Sequence, residues 1–550
     1  MSSVQKINQG HFSMVPRADI PRSSFDRSHG WKGTFNAGDL IPIYVDEALP
    51  GDTFNMRLTA FGRLATPLHP FMDNLHMDFF FFFVPNRLIW ANFKKFMGEQ
   101  VNPGDSTSYL VPQINSPVAG YANGSLSDYM GIPTKIAVVF QHSALWHRAY
   151  NLIWNEWFRD QNLQNSVTVN TGDGPDASTD YTLLKRGKRH DYFTSCLPWP
   201  QKGPAVTLPL GTSAPLTGTS PVKGIGVLQG NSFGASAGNN YWETGSTSMP
   251  VGTPGVATSS VSSVWVKGQA NGAVGSGNTP QIFADLSGVT ANLTAATAAT
   301  INQLRQSFQV QRMYERDARG GTRYTEIVQS HFNVVSPDAR LQRPEYLGGG
   351  SVPININPVA QTGPSGTTGS TTPQGNLAAM GTVAAHNVGF TQSFTEHGVL
   401  IGLAMVRADL NYQQGLNRMF SRSTRFDYYW PALSHIGEQG VLNKEIYLKG
   451  DANDNLVFGY QERYAEYRYK PSVITGQLRS NDATPLDTWH LAQNFASLPV
   501  LNSSFIVENP PIARVIAVPS EPAVLLDCAF RLKCARPMPV YSVPGLIDHF

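Results

Sequence analysis

Two overlapping Gly-x-Ser-x-Gly patterns, Gly230-Asn231-Ser232-Phe233-Gly234 and Gly234-Ala235-Ser236-Ala237-Gly238, are the first places where this sequence could do chemistry. In an elbow of that kind a serine on a sharp strand-to-helix turn becomes a nucleophile. The flanking residues offer neither the strand nor the helix, and so Gly- and Ser-rich a stretch produces the pattern by chance. His142 and His147 lie five apart on an expected helix, hence on different faces, whereas a shared metal wants an i, i+4 pair. Asp427, Glu438, Glu445, Glu462 and Glu466 are scattered through strand and loop regions, and nothing singles out two of them as a glycosidase-like acid and base. Asp105, Asp173 and Asp176 sit in loops without the ligand spacing of a divalent-cation site. There is no Walker A sequence, no Gly-x-Gly-x-x-Gly after a strand and no CxxC pair. Cys196, Cys528 and Cys534 offer no even disulfide framework, and the last two read as small buried hydrophobes. No catalytic residue, metal ligand or cofactor is expected.

Basic charge is the other chemistry on offer. Lys185, Arg186, Lys188 and Arg189 could touch phosphate, pair with acids across a subunit contact, or form a solvated turn. Residues 1–36 hold Lys6, Arg17, Arg22, Arg27 and Lys32 against Asp19 and Asp26, a local net of +3, in a Ser-, Pro- and Gly-rich stretch without period. Such a segment is either a flexible solvated tail or an extended arm along an inner surface near polyanion.

The elements that must position these groups are mostly short strands. Leu40–Val45 and Thr53–Thr59 are β-rich, and Leu49-Pro50-Gly51-Asp52 makes a turn between them. The five-Phe run Phe79–Phe83 with Val84 predicts a strand buried on both faces. Gly398–Val406, Glu445–Leu448, Phe505–Val507, Ala513–Val518 and Val524–Lys533 read as further strands. Helices are expected at Leu88–Met97, at Gln141–Leu163 and at Thr300–Arg319. The middle one carries Trp146, Tyr150, Ile153, Trp154 and Trp157 as one aromatic stripe, with Glu156 and Arg159 free to pair on its solvated side. Residues 201–300 hold 16 glycines and five charged residues, and residues 347–395 hold no Asp, Glu, Lys or Arg. Both read as long insertions between core strands that become ordered by packing on copies of themselves or on neighbours.

Composition agrees with a loop-rich β protein. Hydrophobic residues make up 41% and aromatics 11% of the 550, while charged residues are only 15%, against roughly 25% in ordinary domains. Low charge also predicts that much of the surface is covered by neighbours, because desolvating charge is costly. A net charge of +2 is too small for nucleic-acid binding over the whole surface. Met1–Ile20 has no apolar core of a signal peptide, and the longest apolar run falls far short of the ~20 residues needed to span a bilayer, so a soluble protein made in the cytosol is expected.

Long motifs run in order along the chain: Phe12-Ser13-Met14-Val15-Pro16 and Pro21-Arg22-Ser23-Ser24-Phe25-Asp26, Arg148–Asp160, Asp191–Pro200, Glu315–Tyr324, Asp338–Gly349, and Asp427-Tyr428-Tyr429-Trp430-Pro431 with Gly437-Glu438-Gln439. On these motifs the chain resembles, nearly end to end, the major capsid proteins of the gokushoviruses, a branch of the Microviridae. It implies a mainly β fold, an eight-stranded viral jelly roll (a β-sandwich) with large loop insertions containing a few helices. It implies assembly through pentamers as a T = 1 icosahedral shell around circular single-stranded DNA, and location in the virion. Residues 1–36 become an arm lining the interior, with Arg17, Arg22, Arg27 and Lys32 near DNA or a neighbouring subunit. Residues 37–550 become one jelly-roll domain with insertions at about 205–298 and 347–395. The first insertion, with Trp242, Trp265 and Phe283, is the candidate three-fold projection that meets a receptor on the bacterial host. At +2 per subunit, a shell would offset only on the order of a hundred of several thousand phosphates. A small basic packaging protein, beside an internal scaffolding protein and a DNA-pilot protein, is therefore an expected partner. The competing reading is a secreted β-rich protein that binds or hydrolyses glycans, which predicts a secretion signal or a focused carboxylate pair.

Overall fold

Alternation decides the main sheet. In Thr53–Leu64 the side chains of Phe54, Met56, Leu58, Ala60 and Leu64 are buried and those between them face outward, the period-2 pattern of a strand covered on one face. The structure, a computed structural model, describes residues 21–206, 301–335, 342–363 and 375–541, with the backbone of six short strands between 216 and 291. Its main sheet has nine strands: β1 (Ser23–Asp26), β2 (His29–Phe35), β3 (Ile41–Ala48), β4 (Thr53–Leu64), β5 (Leu75–Pro85), β6 (Glu345–Ala360), β7 (Leu377–Ser393), β8 (Gly398–Ala408) and β9 (Val524–Arg536). The order is β1-β9-β4-β7-β6-β5-β8-β3, with β2 also on β9, and every pairing is antiparallel. The ninth strand arises because the edge beside β9 is shared by two short strands, β1 and β2.

The sheet curls into a half-barrel at β6, whose first part pairs with β5 and whose last part pairs with β7. One core cluster therefore joins Phe54, Met56, Leu526 and Phe530 from one half to Met77, Phe79, Phe81 and Leu400 from the other. The five-Phe run is buried on both faces, as its composition predicts. Phe79, Phe81 and Phe83 point into that cluster, while Phe82 and Val84 join a second one against helix α1 (Leu145–Ile153). Each fully buried Phe contributes ~1.5–3 kcal/mol. A third cluster, with Tyr192, Phe193, Tyr412, Phe458 and Phe505, underlies the long connections after β8.

Several sequence expectations are corrected. The stretch 347–395 is no excursion between core strands: it supplies most of β6 and β7, two strands at the middle of the sheet. Gly348, Gly349 and Gly389 stand where strands approach closely; a Cβ on Gly349 would collide with the Phe79 carbonyl oxygen. Of the segment 1–36, the described part is not free chain, since β1 and β2 are hydrogen-bonded along β9. Gln141–Leu163 divides into a strand at Gln141–Ser143, α1, and a wider π-helical turn at Trp154–Phe158. Leu88–Met97 becomes two single turns, Asn86–Ile89 and Phe93–Phe96. Glu445–Leu448 and Phe505–Val507 are largely taken up by single helical turns, Asn443–Ile446 and Ser503–Ile506, because apolar runs this short carry no period that separates strand from helix.

Pro204–Met313 forms a compact unit of its own. It contains three two-stranded ladders, pairing Leu216–Thr217 with Thr290–Ala291, Leu228–Gln229 with Ser232–Phe233, and Trp242–Thr244 with Val264–Val266. The boundary between the units falls within α2 (Ile301–Arg319), which α3 (Tyr324–Phe332) follows.

Candidate interface surfaces

The carboxylates that could have formed a catalytic pair are occupied. Glu438 and Glu462 sit opposite each other on the Glu438–Leu442 and Val457–Glu462 hairpin, and Arg319 bridges them, its Nε 2.5 Å from Glu438 and its Nη1 3.5 Å from Glu462. Glu445 is buried and pairs with Arg418 at 3.0 Å while accepting from the Tyr192 hydroxyl at 2.8 Å. Glu466 faces Arg422 at 3.5 Å, and Asp427 accepts from the backbone of Ser423 and Thr424. Burial raises the carboxyls of Glu438 and Glu445, and their arginines oppose the rise. These are locking contacts under loops, with every acid satisfied by a cation or by backbone.

The two histidines meet after all. His142 lies on the short strand before α1, so its ring reaches within 5.1 Å of the His147 ring. His142 Nε2 bonds to the Tyr121 hydroxyl at 2.7 Å and His147 Nε2 to the Ser127 hydroxyl at 2.9 Å. Burial, then the neighbouring His142, pulls His147 down to about 3, so it stays neutral. Among the described residues no group of three His, Cys, Asp or Glu is arranged to hold a metal ion. Ser236 lies outside the described residues, and Ser232 stands on a two-residue strand.

The basic candidates are drawn mostly into intramolecular contacts. Arg22 donates to the Gly51 carbonyl at 2.6 Å, Arg27 makes a two-pronged pair with Asp46 at 2.7 and 2.8 Å, and Lys32 reaches Asp527 at 2.8 Å; Arg17 lies outside the described residues. Lys185 donates to Asn509 at 2.9 Å. Arg186 lies 3.5 Å from Asp78 and above the Phe80 ring, and buried Lys188 sits 4.5 Å over the Phe505 ring. Arg189 is the exposed member, lining a hollow of about 380 Å³ with Arg159 and His190. Trp242 and Trp265 stand on one ladder, Trp242 opposite Val266 and Trp265 opposite Glu243, whereas Phe283 lies outside the described residues. Glu156 pairs with Arg323 of α3's approach at 2.9 Å rather than with Arg159.

Two surfaces went unnoticed in the sequence. The first is the outward face of the β2-β9-β4-β7 half of the sheet. Arg57, Phe61 and Arg63 of β4 and Arg531 and Lys533 of β9 stand on it exposed, and the register sets Arg57 directly opposite Arg531. The alternation of β4 could have placed Arg57, Phe61 and Arg63 on one face; the partner arginine comes from the far end of the chain, and only pairing reveals it. The second is an aromatic strip, with Phe420 71%, Phe426 53%, Tyr428 54%, Tyr429 52% and Trp430 47% exposed. Arg422 lies over the Tyr428 ring and Arg425 over Phe426 and Trp430. Exposed aromatic rings clustered in sequence in this way mark interaction sites, because water solvates them poorly.

Residues 13–546 match the family described as Capsid protein (F protein). Capsid protein VP1 of Bdellovibrio phage phiMH2K is 49% identical over 547 residues, covering 99% of each chain. Capsid protein VP1 of Chlamydia phage 1 is 46% identical over 592 residues and covers 98% of each. That of Spiroplasma virus 4 is 37% identical over 553 residues, with 97% of each chain covered. No helix among the described residues is long and apolar enough to cross a membrane.

Proposed function

Since this chain belongs to the capsid protein (F protein) family and is a structural subunit of a Microviridae phage virion, we propose that its copies close into a T = 1 icosahedral shell around circular single-stranded DNA. The end-to-end match to three phage capsid proteins carries this reading. The exposed aromatic strip Phe420–Trp430 supports it physically, as a surface that a second copy would cover. The arm, with Arg17, Arg22, Arg27 and Lys32, is assigned to the interior or to a neighbouring subunit, and Arg189 of the 185–189 cluster to a phosphate or subunit contact. The separate unit around Trp242, Trp265 and Phe283 is assigned to the outside, where it meets the bacterial receptor. A small basic packaging protein, an internal scaffolding protein and a DNA-pilot protein complete the particle.

Sedimentation of the full chain, expressed with and without the phage's scaffolding protein, tests this. Pentamers of five 60.1 kDa chains that convert to shell-sized particles are expected. A stable 60.1 kDa monomer under all conditions overturns the proposal.

A further inference from the structure

We propose that the outward face of β2, β9, β4 and β7 is the place where a single nucleic-acid strand lies against the subunit, Arg57, Arg531, Lys533 and Arg63 holding its phosphates and Phe61 stacking on a base. This rests on the reading that the shell encloses single-stranded DNA, and adds where the strand binds and through which side chains.

Arg57 and Arg531 are direct cross-strand neighbours, a position where like charges repel. None of Arg57, Arg63 and Arg531 has an ion pair among the described residues, whereas Arg27, Arg148, Arg323, Arg407 and Arg418 are each paired; Lys533 stands opposite Asp26 without closing an ion pair. Including Lys32, the face presents five cations against Asp26 and Asp527, a charge of +3, more than the +2 of the whole protein. Repulsion of this kind, concentrated on one face while the rest of the chain is balanced, is relieved by a polyanion.

Phe61 identifies which polyanion. It is 57% exposed; on β4's outward side Thr59 and Arg63 flank it, and Arg57 follows beyond Thr59. The register sets Ala384 beside it and Gly389 beside Arg57 on β7, which leaves both side chains open on that side. On β9, Asp527, paired with Lys32, stands beside Phe61, and Arg531 beside Arg57. An exposed ring with arginines on the same strand face stacks on an unpaired base while the guanidinium groups take the backbone. Duplex DNA would offer its phosphates but no base face to the ring.

The test uses the unassembled full chain and a labelled oligothymidylate, with anisotropy read across a salt series. Arg57→Ser/Arg531→Ser is expected to weaken binding at least about tenfold and to flatten the log–log salt slope by roughly 1.4, about 0.7 for each phosphate no longer neutralised. Its melting temperature should not fall, because a repulsive pair is removed. Phe61→Ala should weaken binding about tenfold with the slope unchanged. Oligothymidylate binding that survives both substitutions overturns this face alone. A wild-type chain that binds no oligothymidylate at any salt overturns the single-stranded-DNA reading beneath it. Loss in the arginine variant with no effect of Phe61→Ala, and equal competition by heparin, overturns base stacking and reassigns the face to an acidic partner.

Discussion

Arg148 shows what a single residue can hold. Its guanidinium is fully buried in a two-pronged pair with Asp176, both bonds 2.7 Å, and it also donates to the carbonyls of Ile89 and Gly172. Burial pushes Asp176 up, but the Arg148 and Tyr181 bonds outweigh it and hold the carboxyl below its usual value. Arg148→Ala leaves that charge unpaired in the interior and should cost ~3–5 kcal/mol, measured by urea unfolding. Arg148→Lys should recover only part of it, because one ammonium cannot serve a forked carboxylate and two carbonyls. Glu508 behaves in the opposite sense. Burial lifts its carboxyl to about 7 against the pull of Lys188 and Arg186. A folded value above the ordinary 4.5 means the contribution is complete below about pH 4.5 and is lost as pH rises through about 7, a change of at most about 3 kcal/mol. The melting temperature of Glu508→Gln minus that of wild type should therefore grow more positive across this window; a constant difference would show that Glu508 does not titrate there. The sequence displayed Arg148 and Asp176 but not their union, which needs α1 and the 170s loop to pack.

At the scale of elements, β4, β5, β8 and β9 were readable because their apolar residues repeat with the strand period or run unbroken between two cores. β6 and β7 were not, since a Gly-rich stretch without charge looks like loop until a neighbouring backbone is laid beside it. Gly349 makes this testable. A valine there has no room beside the Phe79 carbonyl, and Gly349→Val should cost more than roughly 4 kcal/mol or abolish folding. Gly363→Ala, where nothing lies within 4 Å, should stay within about 0.5 kcal/mol by the same melt. The aromatic helix was legible as far as Ile153. Beyond it the π-turn rotates Trp157 outward, to 38% exposure, where Arg343 covers it at 4.9 Å.

At the scale of the whole molecule, low charge and exposed aromatics are two aspects of one property, a chain made to be covered by others. Phe426→Ser/Trp430→Ser should leave the melting temperature near that of wild type while preventing formation of shell-sized particles in sedimentation. Removal of residues 205–298 should abolish adsorption to host cells; normal adsorption would move the receptor contact elsewhere.

By itself the amino-acid sequence determined the class of fold, the strands with a clear period, the want of a catalytic motif and the family, because these depend on local spacing or on long runs of matching residues. Tertiary structure alone decided the rest. It made β6 and β7 central strands, closed the acids Glu438, Glu445, Glu462 and Glu466 with arginines, and set Arg57 against Arg531. Each of these joins residues far apart in the chain, and the energy of such contacts exists only once two distant strands or loops have been brought within a few ångströms.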